Sequence, residues 1–141
     1  MVQLLQRILV YGCFGVTMEV VFTGLHSLIF ERDLRMPGRT YIWMIGLYGV
    51  GGWSLGLLRD LVQNRFLFIL VAVVYIYLIE FSSGWILRRL IGRCPWDYGQ
   101  ARFGIAGLIR LDYLPFWVLA TFTFDYLAGY IGWLLELAGR V

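Results

Sequence analysis

The chain has 141 residues, of which 60% are hydrophobic and 15% charged, with a mean hydropathy of +0.75. A globular domain carries about 45–50% apolar and about 25% charged residues, so one soluble domain of this length could not hide this much apolar surface behind a polar cover. Composition therefore excludes a soluble enzyme, a disordered chain and a disulfide scaffold, and points to an integral membrane protein.

All 12 basic residues are arginine, against nine acids, giving a formal charge of +3. These arginines flank apolar segments and form no basic stripe on a water-facing helix, so the partner they imply is the lipid bilayer and not nucleic acid. Cys13 lies in an apolar segment and Cys94 in a loop. They form no Cys-x-x-Cys pair, and no disulfide is expected.

About 20 apolar residues are needed to cross the hydrocarbon of a bilayer. Four segments qualify in chain order: 8–30, interrupted by Glu19 and His26; 41–58; 66–87, with Glu80 inside; and 113–135, with Pro115 near its start and Asp125 near its middle. Backbone in lipid must satisfy its own hydrogen bonds, so each span is predicted to be a helix. The first segment is too long for a signal peptide, contains Glu19 and has no small-x-small cleavage site after it, so it is expected to be retained.

Between the third and fourth spans, Pro95 and Gly99 mark a turn. The run after it carries Phe103, Ile105, Leu108, Ile109 and Leu111 with arginines at both ends, which suits an interfacial or re-entrant segment. The expected architecture is an all-α, polytopic four-helix transmembrane bundle in one domain, residues 1–141. Four spans place both termini on one side. Arg32, Arg35, Arg39, Arg88, Arg89, Arg93, Arg102 and Arg110 fall on the hairpin-loop side, against Arg7, Arg59, Arg65 and Arg140 on the other. That bias puts the loops in the cytoplasm and the termini opposite it.

Polar and small residues recur at helical spacing. Gly12, Gly15, Glu19, Thr23 and His26 share a face of span one; Tyr77, Glu80, Ser83, Gly84 and Leu87 of span three; Thr121, Asp125, Ala128, Gly132 and Glu136 of span four. Span two offers Gly49, Gly52 and Gly56, which let helices approach closely. Glu19, Glu80 and Asp125 are thus expected to point inward. An ionised carboxylate there costs at least about 2.5–3.5 kcal/mol unless paired or hydrated. Either protons or cations neutralise these acids, and Arg88 and Arg89 are candidate partners for Glu80. Packing alone also produces such seams, with protonated carboxyls bonding across helices.

The remaining candidates carry less. His26 is the single histidine, so no histidine metal cluster is expected, and no cofactor is assigned. Cys94 has no activating neighbour in sequence. The six tryptophans mostly mark span ends, as in an aromatic belt. There is no phosphate-binding glycine loop, zinc-protease motif or nucleophile elbow. Spans one and three share a loose pattern, in which an inward Glu is followed by Gly24 or Gly84 and then a basic turn with Pro37 or Pro95.

Gly12-x-x-Gly15-x-x-x-Glu19-Val20-Val21-Phe22-Thr23-Gly24, Met36-Pro37-Gly38-Arg39-Thr40-x-x-Trp43 and Tyr48-Gly49 resemble the first half of one family. Its second half is resembled by Glu80-Phe81-Ser82-Ser83-Gly84-Trp85-Ile86-Leu87, Cys94-Pro95-Trp96-Asp97-Tyr98, Gly107-Leu108-Ile109-x-Leu111-x-Tyr113 and Pro115-Phe116-Trp117. The family is that of transmembrane protein 229 and its bacterial relatives, which are labelled ABC-transporter permeases. Gly99 stands where the family usually has Ser, and Gly104 where bacterial members often have Asn. The resemblance implies a small polytopic membrane protein without a settled activity.

Two functions follow. One is a non-enzymatic accessory or permease-like subunit that packs with membrane-protein partners or with itself. The other is an intramembrane enzyme or binder for a lipid or amphipathic molecule. In that case Glu19 and Glu80 would exchange protons, Asp97, Tyr98 and Trp96 would orient a head group, and Arg88, Arg89 and Arg93 would hold its phosphate. Asp125 and His26 complete the buried polar set.

Overall fold

The computed structural model describes residues 2–99 and 101–138, apart from the side chains of Leu135, Glu136 and Ala138. The Glu136 side chain expected in the last seam, and Arg140 of the charge count, lie outside the described residues.

The chain is helical for most of its length. Helix α1 (Val2–His26) continues into one π-helical turn, Ser27–Glu31, where the Ser27 hydroxyl donates to Glu31 Oε2 at 2.9 Å. Arg32, in the left-handed region at φ 56°, ends it with its N–H on the Ser27 carbonyl. Helix α2 covers Trp43–Leu61 and α3 Arg65–Ile91. Asn64 caps α3 by accepting from the Leu67 N–H at 3.0 Å, and Gly92 at φ 77° stops it. Arg88 and Arg89 lie in its last turn, where the helix dipole favours positive charge.

Next comes a two-stranded antiparallel ribbon that the pattern of apolar residues did not reveal. Strands β1 (Gly104–Ile105) and β2 (Ile109–Arg110) pair Gly104 with Arg110 and Ile105 with Ile109. Ala106 and Gly107 turn the corner at φ 54° and 69°, closed by Leu108 N–H on the Ile105 carbonyl at 2.9 Å. A 3₁₀ turn, Leu111–Tyr113, leads into α4 (Leu114–Ala138), whose first turn takes Pro115 without losing a hydrogen bond.

Among the described residues, three helical stretches are long and apolar enough to cross a membrane: Val2–Glu31, Arg65–Ile91 and Leu111–Leu134. The expected second span, 41–58, is a helix over Trp43–Leu61 but falls short of that apolarity. The reason lies in its length: every 18-residue stretch of this 19-residue helix includes Arg59 and Asp60, which lower its hydropathy. The protein is an all-α membrane protein, with four α-helices and one small ribbon among the described residues.

By internal contacts the chain divides into two compact units, Met1–Ser54 and Leu55–Val141. In the first, α1 and the start of α2 approach through reciprocal glycines. A Cβ on Gly12 would stand 2.5 Å from the Ile45 carbonyl oxygen, and one on Gly49 would stand 2.5 Å from that of Ile8. Cβ atoms on Gly15 and Gly52 would strike Tyr48 and Tyr11 in the same manner. Each helix seats a side chain on the other's glycine, so van der Waals contact takes the place that hydrophobic exclusion has in water.

In the second unit, α3 and α4 pack around Phe68, Ala72, Val73, Phe124 and Thr121, with Leu87, Leu108 and Ile109 buried where the ribbon meets α3. The outward faces stay apolar, with Phe66, Leu90 and Leu119 broadly exposed, as lipid requires.

Gly12→Ala and Gly49→Ala are expected to cost about 1–3 kcal/mol through overpacking. Gly46→Ala, where a Cβ meets nothing within 4 Å, should leave stability unchanged or slightly raised. Thermal unfolding of the three variants in mild detergent distinguishes the positions.

Candidate functional site

Each unit holds a carboxyl beneath a connecting segment that folds back along its long helix. In the first unit the segment after Arg32 runs antiparallel to the end of α1. A Cβ on Gly24 would lie 3.1 Å from the Met36 carbonyl oxygen, and one on Gly38 only 2.5 Å from that of Val20. Backbone thus lies directly on helix backbone, which only glycine permits. The Arg39 N–H donates to Thr23 Oγ1 at 2.8 Å and fixes the segment's register. One residue on, the Thr40 hydroxyl donates to Glu19 Oε2 at 2.5 Å. From α2 the Tyr48 hydroxyl also reaches Glu19. Sequence spacing placed Glu19 on a seam with Thr23, but Thr40 and Tyr48 are distant in sequence and carried no periodic signal.

The second unit repeats the arrangement with different residues. A Cβ on Gly84 would come within 2.9 Å of Leu108 Cδ2, 3.1 Å of Trp96 Cζ2 and 3.3 Å of Cys94 Sγ. Trp96 Nε1–H donates to the Leu108 carbonyl at 2.9 Å and locks the turn to the ribbon. Tyr98 follows, with its N–H on the Gly107 carbonyl at 2.9 Å and its hydroxyl on the Glu80 carboxyl. Further down α3, the Tyr77 hydroxyl meets the carbonyls of Arg110 and Leu111, each at 3.3 Å. Glu80 Oε2 is buried without a hydrogen-bond partner.

The arginines do not gather as expected. Arg88, a candidate partner of Glu80, donates through Nη2 to the Ala106 carbonyl at 3.0 Å. Arg89 stacks over Trp85, 5.0 Å from the ring centroid, and Arg93 is exposed. Tyrosine, not arginine, meets Glu80, because the Ala106 carbonyl holds Arg88 and the Trp85 ring holds Arg89. Asp97 is exposed and accepts from the Gly99 N–H at 2.8 Å, so it shapes the turn. His26 is half-buried between the rings of Phe22 and Phe30.

Asp125 follows another rule. Its side chain is 3% exposed and sits between Arg59 Nε at 2.5 Å and Arg65 Nε at 2.7 Å. Arg59 also donates to the carbonyls of Val62 and Gln63, and the two guanidiniums lie over Phe68 and Phe122. This cluster fastens the turn between α2 and α3 to the middle of α4. Two further buried polar atoms, Trp117 Nε1 and Thr121 Oγ1, lie one turn apart on α4 without partners.

Among the described residues no group of three or more His, Cys, Asp or Glu side chains is arranged to hold a metal ion. Cys94 is no activated nucleophile. Burial pushes its thiol up, outweighing the Trp96 backbone N–H and the Arg88 charge that pull it down.

Long apolar helices and acids met inside the fold define a small helical integral membrane protein. Residues 7–140 match the family described as "Putative ABC-transporter type IV". The chain belongs to that family. No solved structure matches it.

Asp125→Asn removes the charge that Arg59 and Arg65, 28% and 50% exposed, share, and is expected to cost about 1–3 kcal/mol, read as a lowered unfolding temperature in detergent. For Cys94, alkylation at neutral pH is expected to be slower than that of a free thiol and to accelerate as pH rises. Trp96→Phe, which removes the N–H to Leu108, should quicken it by loosening the turn.

Proposed function

We propose that the chain is a permease-like membrane subunit that works with other membrane proteins, and that it is related to the transmembrane protein 229 family and its bacterial relatives. The family match over residues 7–140 carries this reading. An ATP-driven transporter needs a phosphate-cradling loop with its lysine. These 141 residues contain no lysine, so on this reading nucleotide hydrolysis is supplied from outside them. The arginine bias of the two hairpin loops supports a cytoplasmic location for them, with the termini opposite.

A second reading, a binder of an amphipathic molecule, is favoured by one observation. Glu80 Oε2 is buried and unpartnered beneath the Trp96-Asp97-Tyr98 turn, and such an atom costs about 1–3 kcal/mol until a ligand, proton or water meets it.

Gentle native purification of the full chain, with mass spectrometry of every co-purifying protein and lipid, tests both. Stoichiometric recovery of a membrane or nucleotide-binding protein supports the subunit reading, and recovery only as a lone monomer overturns it. A lipid retained by the wild type and lost in Glu80→Gln supports the binder.

A further inference from the structure

The two units share more than a carboxyl each. In both, a long helix (Val2–Glu31 or Arg65–Ile91) is followed by a segment that folds back along it. In both, the next helix begins beside the middle of the long one. Tyr48 of α2 lies against Gly15, and Leu111, just before α4, lies against Tyr77. In both, the fold-back covers a glycine of the long helix, Gly24 or Gly84, that stands about one turn past the acid. The fold-back then delivers a hydroxyl to that acid, Thr40 to Glu19 and Tyr98 to Glu80.

We infer that the chain is an internal duplication of one helix, fold-back and helix unit, and that each copy carries the same site, a carboxyl that binds a single monovalent cation. Charge balance requires it. Among the described residues neither Glu19 nor Glu80 forms an ion pair, whereas Asp125 forms two. The groups facing Glu19 are the neutral hydroxyls of Thr40 and Tyr48. Those around Glu80 are Tyr77 on its own helix, with Cys94 and Tyr98 from the fold-back. Beyond them, Arg88 is bonded to Ala106, and Asp112 is paired with Arg110. Hydroxyl donors lower the cost of a carboxylate without cancelling its charge, so within an apolar span one positive charge has to come from outside the fold. The open Glu80 Oε2 marks where that charge sits in the second copy. The inference stands whichever partner the protein serves.

Infrared difference spectra of the full chain in bilayers, wild type minus Glu19→Gln and wild type minus Glu80→Gln at neutral pH, test it. Each variant is expected to lose one band. That band is either the carbonyl stretch of a protonated acid, if the cation is the proton, or a carboxylate stretch that shifts on adding sodium, if it is the metal ion. A carboxylate band indifferent to sodium in either difference spectrum overturns the inference, since that acid is then ionised and unoccupied. Thr40→Val and Tyr98→Phe keep both acids and remove one donor each. Each should shift only the band of its own unit, and a shift of both bands or of neither also overturns the duplication.

Discussion

A carboxyl group inside an apolar span has to be met by something, and the fold is arranged around meeting three of them. Asp125 is answered from within by two guanidiniums, and that answer ties the α2–α3 turn to the side of α4. Glu19 and Glu80 are answered by hydroxyls carried on segments that turn back toward the helix they have just left. The difference is physical. An arginine pair cancels charge and fastens elements together, and removing one member leaves a buried charge. A hydroxyl orients a carboxyl and leaves its charge open to whatever arrives.

The glycines make this arrangement possible. Gly24, Gly38 and Gly84 lie where the returning segment rests on the helix, and in the first unit the contact is backbone against backbone. A methyl group at Gly38 would lift the strand that holds Arg39 and Thr40, and with it the hydroxyl on Glu19. Gly12, Gly15, Gly49 and Gly52 do the corresponding work between α1 and α2. Small residues therefore set both the helix spacing and the reach of the site.

Much of this was legible in the sequence. Apolar length located the helices, and the three-and-four spacing put Gly12, Gly15, Glu19 and Thr23 on one face, where they are found. Periodicity cannot report partners that arrive from a loop, so Thr40 and Tyr98 were invisible as carboxyl ligands. Proximity along the chain also misled. Arg88 stands two turns from Glu80 on the same helix, yet its guanidinium finds an unpaired carbonyl on the ribbon first. Asp125 looked like a third member of the inward set. Its partners Arg59 and Arg65 are 66 and 60 positions away, and only the folded chain joins them.

The ribbon explains how irregular backbone can accompany an apolar helix at all. Non-helical chain is tolerated beside hydrocarbon only when its polar groups are already paired. Between Tyr98 and Leu111 the pairing is dense: Ala101 N–H on Tyr98, Gly104 on Ala101, Leu108 on Ile105 and Leu111 on Phe103. Arg88 takes the carbonyl of Ala106, and Trp96 takes that of Leu108. The same bonds that satisfy the segment also hold Tyr98 over α3. Backbone satisfaction and placement of the hydroxyl on Glu80 are thus one requirement, and loosening either loosens the other.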